Sequence, residues 1–452
     1  MNTKFRKTDN IIPPLGILYV ASLLNQHGIE SKFLDGLLFC NNISDFSKLI
    51  KRYKPDIVGV TSMTPNFSIA KDVAKEIKSV NNNIITVVGG SHITALPNCI
   101  KNSSFDIGVI GEGEFTFLEL ITAFRDSRTI SNIKGIAYKS NDSVIINETR
   151  PLLKNIDILP HPKRDLLKKF SIYHPAIFNY KKLPCATILT SRGCNYKCSY
   201  CINSLSNKTF WRGHSVKYVL EELEDIKVNY NISNFWFLDD DFAFDRVRAY
   251  KMCQEILNRN LKINWSCMMR VNDADYKLLS LMRKAGCWQI AYGIESGSQR
   301  MLDIVNKGSS LVEISNAVHL TKKAGIEVKG FFMLGLPTET VADIEKTINI
   351  AISLPFDYAT FFPVSVVPGT RLEKEATKYG KIVKYPDKMK MSYNNNVFIP
   401  DTLNELELIA FQKKAYYKFY FRPKYILNQI IKLRNFSDLK KKIIALGVLV
   451  LQ

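Results

Sequence analysis

The residues of this sequence best able to do chemistry stand within one dozen: Thr190-Ser-Arg-Gly-Cys194-Asn-Tyr-Lys-Cys198-Ser-Tyr-Cys201. Three cysteines spaced C-x3-C-x2-C on one loop cannot make a sensible set of disulfides. As thiolates they can take three corners of a cubic iron–sulfur cluster and leave the fourth iron open for another ligand. Gly193 lets the chain turn sharply into the loop. Cys40, Cys99, Cys185, Cys253, Cys267 and Cys287 are scattered singly and read as small buried hydrophobes. A cluster-binding triplet needs a reducing compartment, so a cytoplasmic location is expected.

Further polar residues recur just after short apolar runs. Phe237-Leu-Asp239-Asp240-Asp241-Phe242 places three carboxylates side by side. Such groups repel one another and seek a cation. Arg270 follows Trp265-Ser-Cys-Met-Met and can clamp a carboxylate or form a surface ion pair. In Gly293-Ile-Glu295-Ser296-Gly297-Ser298 the glycines admit a close backbone approach, and Glu295 and Ser296 can bond a diol. Gly335-Leu-Pro337 and Pro368-Gly-Thr-Arg371-Leu end two further runs.

The elements that must position these residues alternate strand with helix. Strands are expected at Ala186–Thr190, Asn234–Leu238, Lys262–Met268, Gln289–Tyr292, Val328–Met333 and Tyr358–Val364, with helices between them such as Ser215 to Tyr230 and Asp275 to Ala285. Six such units fit a partial parallel barrel, which keeps its chemistry at the carboxyl ends of its strands. Upstream, a helix at Leu15 to His27 precedes expected strands at Ile29–Asp35, Ile57–Thr61, Ile84–Val88 and Ile107–Ile110, with a helix at Ile69 to Val80. Short buried strands separated by helices argue a doubly wound parallel sheet. Ile133–Lys139 and Ser143–Asn147 read as a hairpin, and prolines at 151, 160, 162, 175 and 184 mark a linker. Helix is expected from Thr402, including Leu406 to Phe419, and Ile443–Leu451 as a docked terminal helix or strand.

Taken in order, the motifs over residues 184–372 resemble the radical SAM superfamily, and residues 12–124 resemble the cobalamin-binding domain that precedes the barrel in its B12-dependent class. The N-terminal residues that carry this are Pro13-Pro-Leu-Gly16, Thr61-Ser62-Met-Thr64, Gly89-Gly90-Ser91-His92 and Gly111-Glu112-Gly-Glu114. The resemblance implies an α/β chain in four parts: 1–125 a Rossmann-like cobalamin-type domain, 126–183 hairpin and linker, 184–400 a partial (β/α)6 barrel, and 401–452 a helical region. It implies a 4Fe-4S cluster on Cys194, Cys198 and Cys201, with S-adenosylmethionine chelating the open iron and yielding a 5′-deoxyadenosyl radical. Asp239 or Asp240 would meet the methionine amino group, and Arg270 its carboxylate or the substrate. Glu295 and Ser296 would bond the ribose, and Gly335 would lie by the adenine. Tyr200 would stack on adenine or pack under the cluster.

Cobalamin would sit near Ser62, Thr64, Gly89, Gly90, Ser91, Gly111 and Glu112. The D-x-H-x-x-G motif is absent, so no histidine is expected on the lower cobalt face; His27 and His92 read as surface or packing residues. The family opens on a hydrophobic strand. Here Met1 to Asn10 is polar and cannot be a buried central strand, so the sheet is expected to lack its first strand, which leaves a gap, or neighbouring strands that close it, or a degenerate cofactor-holding domain. The activity implied is methyl transfer to an unactivated carbon, with ring-forming or oxidative radical chemistry, or a non-catalytic cofactor-binding role, as alternatives. An electron donor such as flavodoxin or ferredoxin is implied, as is a small-molecule, lipid or peptide substrate; nucleic acid is not expected.

The chain has 452 residues, 46% of them apolar, and a formal charge of +20. That length suits two domains. No run of apolar residues is long enough to span a membrane. The charge is either a compositional bias or an affinity for anionic substrates or surfaces. Lys413-Lys414 and Lys440-Lys-Lys442 make the C-terminal part the most basic, which leaves peripheral membrane association open.

Overall fold

A computed structural model describes residues 10–40, 42–167, 170–204, 210–384 and 396–431. Residues 1–9, Lys440–Lys442 and Ile443–Leu451 lie outside the described residues. Two compact units form, one over Pro14–Lys168 and one from Lys169 onward together with residues 10–13.

The first unit holds β1 (Ile57–Thr61), β2 (Ile85–Gly89), β3 (Ile107–Val109), β4 (Ile136–Ser140) and β5 (Ser143–Ile146), in that spatial order. β1, β2 and β3 are parallel; β4 and β5 are the expected hairpin, laid antiparallel against β3. Adjacent residues of β2 point to opposite faces. Val87 packs with Leu120 and Ala123 of helix Glu114–Arg125, and Val88 with Phe67, Ala70 and Ala74 of helix Phe67–Val80. Both faces are thus covered by helices, the doubly wound arrangement expected.

The expected strand at Ile29–Asp35 does not form; that segment has no regular structure. An extended segment becomes a strand only through a ladder partner. β1 bonds to β2 and, among the described residues, to no other strand.

The second unit contains β6 (Ala186–Ile188), β7 (Ser191–Arg192), β8 (Arg212–Gly213), β9 (Asn234–Phe237), β10 (Asn264–Met269), β11 (Cys287–Glu295), β12 (Glu327–Leu334), β13 (Tyr358–Pro363), β14 (Gly380–Lys384) and β15 (Asn396–Pro400). A six-stranded sheet runs β13-β12-β11-β10-β9-β6 with every pair parallel. Its helices start on side-chain caps. Ser215, Asp245, Ser310 and Thr340 each accept a hydrogen bond from the backbone three residues on, and Asp275 from Lys277. Each cap contributes about 1 kcal/mol and ends the loop that follows a strand.

Beneath the helices, the Phe237 ring stacks on Trp265 at 4.8 Å, and Trp265 donates its indole N–H to the Ala285 carbonyl. The free edge of β13 is covered by helix Glu405–Tyr420. Gln412 donates to the Phe361 carbonyl, and the hydroxyls of Tyr416 and Tyr420 accept from the Phe361 and Ala359 amides. The β14–β15 hairpin was not expected from the sequence.

Candidate active site at the strand ends

The cysteine loop leaves β6 and is tied down along its length. The Asp239 carboxylate accepts from the Thr190 amide at 2.7 Å, the Thr190 hydroxyl at 2.5 Å and the Ser191 amide at 2.8 Å. Arg248 donates to the Thr190 carbonyl at 2.6 Å, and β7 pairs with β8. Further on, the Ser199 amide donates to the Val305 carbonyl, and the Cys201 amide to that of Cys198. Cys198 is buried, Cys194 and Cys201 are partly exposed, and none forms a disulfide. Burial, with Cys198, Asp240 and Cys194 nearby, pushes the Cys201 thiol up to about 12. Loading iron here must therefore displace protons. Among the described residues no three His, Cys, Asp or Glu side chains converge tightly enough to chelate one metal ion. The three thiols of this one loop would take three corners of a cubic cluster.

The three neighbouring aspartates do three different things, so the cation expected between them has no common site. Asp239 is fully buried and engaged as above, and cannot also meet a ligand. Asp240 is exposed. Asp241 is buried; it accepts from the Arg270 amide at 3.4 Å and hydrogen-bonds to Asp273. Burial and then that neighbour's charge push the Asp241 carboxyl well above the usual carboxylate range.

Arg270 is not an exposed ion-pairing residue. Its guanidinium carbon lies 3.4 Å from the centre of the Tyr196 ring. One nitrogen donates to Cys198 Sγ at 3.8 Å and another to the Lys307 carbonyl. Glu295 ends β11 with φ of 63°, in the left-handed region where a non-glycine residue is strained. Only 8% exposed, it pairs with Lys307 at 2.8 Å. The Tyr200 hydroxyl also bonds to Glu295, and its ring packs with Met301, Val305 and Leu336. Tyr200 therefore packs beneath the loop rather than forming an open stacking platform. Ser296 is fully buried, faces the Thr347 hydroxyl at 3.1 Å and accepts from the Ser298 amide; it braces the turn and is not presented to a ribose. Gly335 (φ 85°) donates its amide to Glu339, whose carboxyl burial pushes up to about 8. Sequence reasoning missed Lys307, Arg248 and Tyr196. The one local signal was the Asn306-Lys307-Gly308 turn, whose flanking residues both take positive φ.

In the first unit the register pairs Thr61 with Gly89, which gathers Ser62, Thr64, Gly90 and Ser91 at the carboxyl ends of β1 and β2. Doubly wound sheets bind ligands at such a place. Ser62 is buried, its hydroxyl bonding to Met63 and Asn66, and the Thr64 hydroxyl lies 3.2 Å from His92 Nδ1. The His92 ring packs on Phe67 at 4.1 Å, and burial, then Lys71, lowers its pKa; it is a packing residue, as expected. Gly90 has φ of 105°, and a Cβ there would lie 2.3 Å from the Ser62 carbonyl oxygen. The backbone itself therefore requires glycine there. Gly111 (φ 80°) differs: nothing lies within 4 Å of where its Cβ would be, and its amide donates to the Thr94 hydroxyl. Glu112 accepts from the Leu153 amide at 3.4 Å. Open space at Gly111 and slack at Gly89 fit a large ligand that approaches the backbone.

A doubly wound unit and a parallel sheet with a cysteine triplet at its strand ends define a two-cofactor radical enzyme of the B12-dependent type. Residues 4–121 match the B12 binding domain, and residues 188–351 match the radical SAM superfamily. An uncharacterized methyltransferase of Pyrococcus horikoshii is 36% identical over 436 residues, covering 94% of this chain and 91% of that protein. The anaerobic magnesium-protoporphyrin IX monomethyl ester cyclase of Rubrivivax gelatinosus is 30% identical, covering 92% and 75%. Among solved structures, the radical S-adenosylmethionine methyltransferase TsrM of Kitasatospora setae, with cobalamin and a [4Fe-4S] cluster bound, superposes with a TM-score of 0.74 at 17% identity, over 93% of this chain and 88% of that one. The chain belongs to the radical SAM enzymes that carry a B12-binding domain. Its cofactors are those of that family: a 4Fe-4S cluster, S-adenosylmethionine and cobalamin. Among the described residues no helix is long and apolar enough to cross a membrane.

Proposed function

We propose that this enzyme transfers a methyl group to an unactivated carbon of an acidic or neutral small molecule held on the concave face of the six-stranded sheet. The observation that carries the reading is the convergence of the cysteine loop, Asp240, Arg270 and the Glu295–Lys307 pair at one rim. Cys194, Cys198 and Cys201 would hold the cluster. Of the two aspartates considered for the methionine amino group, Asp239 is buried and Asp240 is the exposed one. Glu295, buried and paired with Lys307 at 2.8 Å, would accept from a ribose hydroxyl. When bound, the cluster supplies the electron that cleaves S-adenosylmethionine, and cobalamin carries the methyl group. The protein's part is to fix these groups and exclude water. A flavodoxin or ferredoxin would be the donor, in a reducing cytoplasm.

The similarity to a cyclase favours a second reading, radical chemistry without methyl transfer. Anaerobic turnover separates them. Methyl transfer consumes two S-adenosylmethionine molecules and releases S-adenosylhomocysteine and 5′-deoxyadenosine in equal amounts. 5′-Deoxyadenosine with no S-adenosylhomocysteine in the presence of cobalamin would select the second reading. Neither product from cluster-loaded, reduced protein would select the non-catalytic one.

A further inference from the structure

Strand alternation sorts β12 into two faces. Val328, Phe332 and Leu334 enter the core beneath the helices, so Lys329, Phe331 and Met333 take the concave face. A lysine is unexpected there. Lys329 is only 7% exposed. Among the described residues it forms no ion pair. Its amine donates to Asn179 Oδ1 at 2.8 Å and lies 4.9 Å from the centre of the Phe331 ring. The Asn179 carbonyl accepts in turn from the Ser266 hydroxyl at 3.4 Å.

The register places Ala291, a small residue, directly beside Lys329. One pleat below on the same face lies Gln289, 2% exposed, whose side-chain N–H2 group has no hydrogen-bond partner. An ammonium and an amide donor thus lie on one face; Glu327, beside Gln289 in the register and two residues before Lys329, forms no ion pair with that amine. Burial pushes the Lys329 amine down to about 8, and no charged neighbour contributes. It is still largely protonated at neutral pH. A core gains nothing from such a group; methionine would fill the place without the desolvation cost. An anion between Lys329 and Gln289 would satisfy both.

We propose that Lys329, with Gln289, is the subsite that recognises an anionic group of the substrate, a carboxylate or a phosphate. The inference rests on the placement of substrate on this concave face. It also bounds the substrate. Glu295 at the rim pairs with Phe332, three residues beyond Lys329, which is roughly 10 Å along the strand. An acid group held at Lys329 leaves a short molecule's carbon at the rim. Phe331, Met333 and Phe362, the last 41% exposed, supply an apolar wall alongside.

The test needs no turnover, so it stands apart from the methyltransferase reading. The full chain, cluster-loaded and anaerobic, is labelled with carbon-13 at every lysine Cε, and the signals are followed against pH with inorganic phosphate or acetate added. One signal, absent in Lys329→Met, is expected to titrate near pH 8 and to move to its protonated position at pH 8.5 as either anion is added. A response to phosphate alone indicates a phosphorylated substrate; a response to acetate indicates a carboxylic acid. Gln289→Leu should weaken the response severalfold, and serves also if Lys329→Met fails to load iron. A Lys329 signal indifferent to both anions up to roughly 100 mM, or one titrating like an ordinary surface lysine, would overturn the proposal.

Discussion

Arg270 donates a hydrogen bond to Cys198 Sγ over 3.8 Å while its guanidinium lies 3.4 Å from the Tyr196 ring. A cation and an N–H donor at a cluster sulfur stabilise the reduced, more negative cluster. Arg270→Met should therefore shift the cluster potential downward, by roughly 50 mV. Potentiometry followed by paramagnetic resonance measures it. An unchanged potential with full iron content would show that the contact does not reach the cluster.

Changing Cys194, Cys198 and Cys201 together to Ala should abolish the brown chromophore after reconstitution. Retention of four irons per chain would refute the assignment of these thiols.

Asp239 and Asp240 should separate cleanly. Asp239→Ala removes a buried acceptor from three donors and should cost about 3 kcal/mol, with poor iron loading. Asp240→Ala, at an exposed position, should cost far less stability than Asp239→Ala and weaken S-adenosylmethionine binding. Calorimetric affinity beside thermal melts reads both; the reverse pattern would exchange their roles.

Gly90→Leu drives a side chain into the Ser62 carbonyl and should unfold the first unit, so its loss of cobalamin says nothing about the ligand. Gly89→Leu is the informative variant. A Cβ there meets only Val109, at 3.8 Å, so the unit should fold while cobalamin uptake, read from its visible absorbance, is lost. Full uptake would move the ligand away from β2.

Lys329→Met should stabilise the protein in a pH-dependent way. The folded amine titrates near 8, below the 10.5 of an ordinary lysine. A lowered lysine pKa opposes folding fully below pH 8, and the penalty fades as pH rises to 10.5. The gain should be up to about 3 kcal/mol at pH 7 and near zero above pH 10.5. Denaturant melts at both pH values check this; an equal gain at both would make the effect packing alone.

What was legible in the sequence was what short-range rules control. Cysteine spacing, apolar runs, capping Ser, Thr and Asp residues, and glycines at turns named the cluster loop, the six barrel strands and the helices between them. What depends on partners distant in the chain was not legible. Ile29–Asp35 has strand composition, yet a strand exists only with a ladder beside it. Asp239, Asp240 and Asp241 look alike in sequence; Thr190 and Arg270, tens of residues away, decide which is buried as an acceptor and which faces out. Gly90 resembles a ligand-side glycine until the Ser62 carbonyl is seen against it. Lys329 reads as one polar residue in an apolar strand. Its parity with Phe331 put it on the concave face, but only the packing of Asn179, Ala291 and Gln289 around it shows a buried ammonium with no ion pair among the described residues, because burial and pairing belong to the assembled sheet and not to any segment of it.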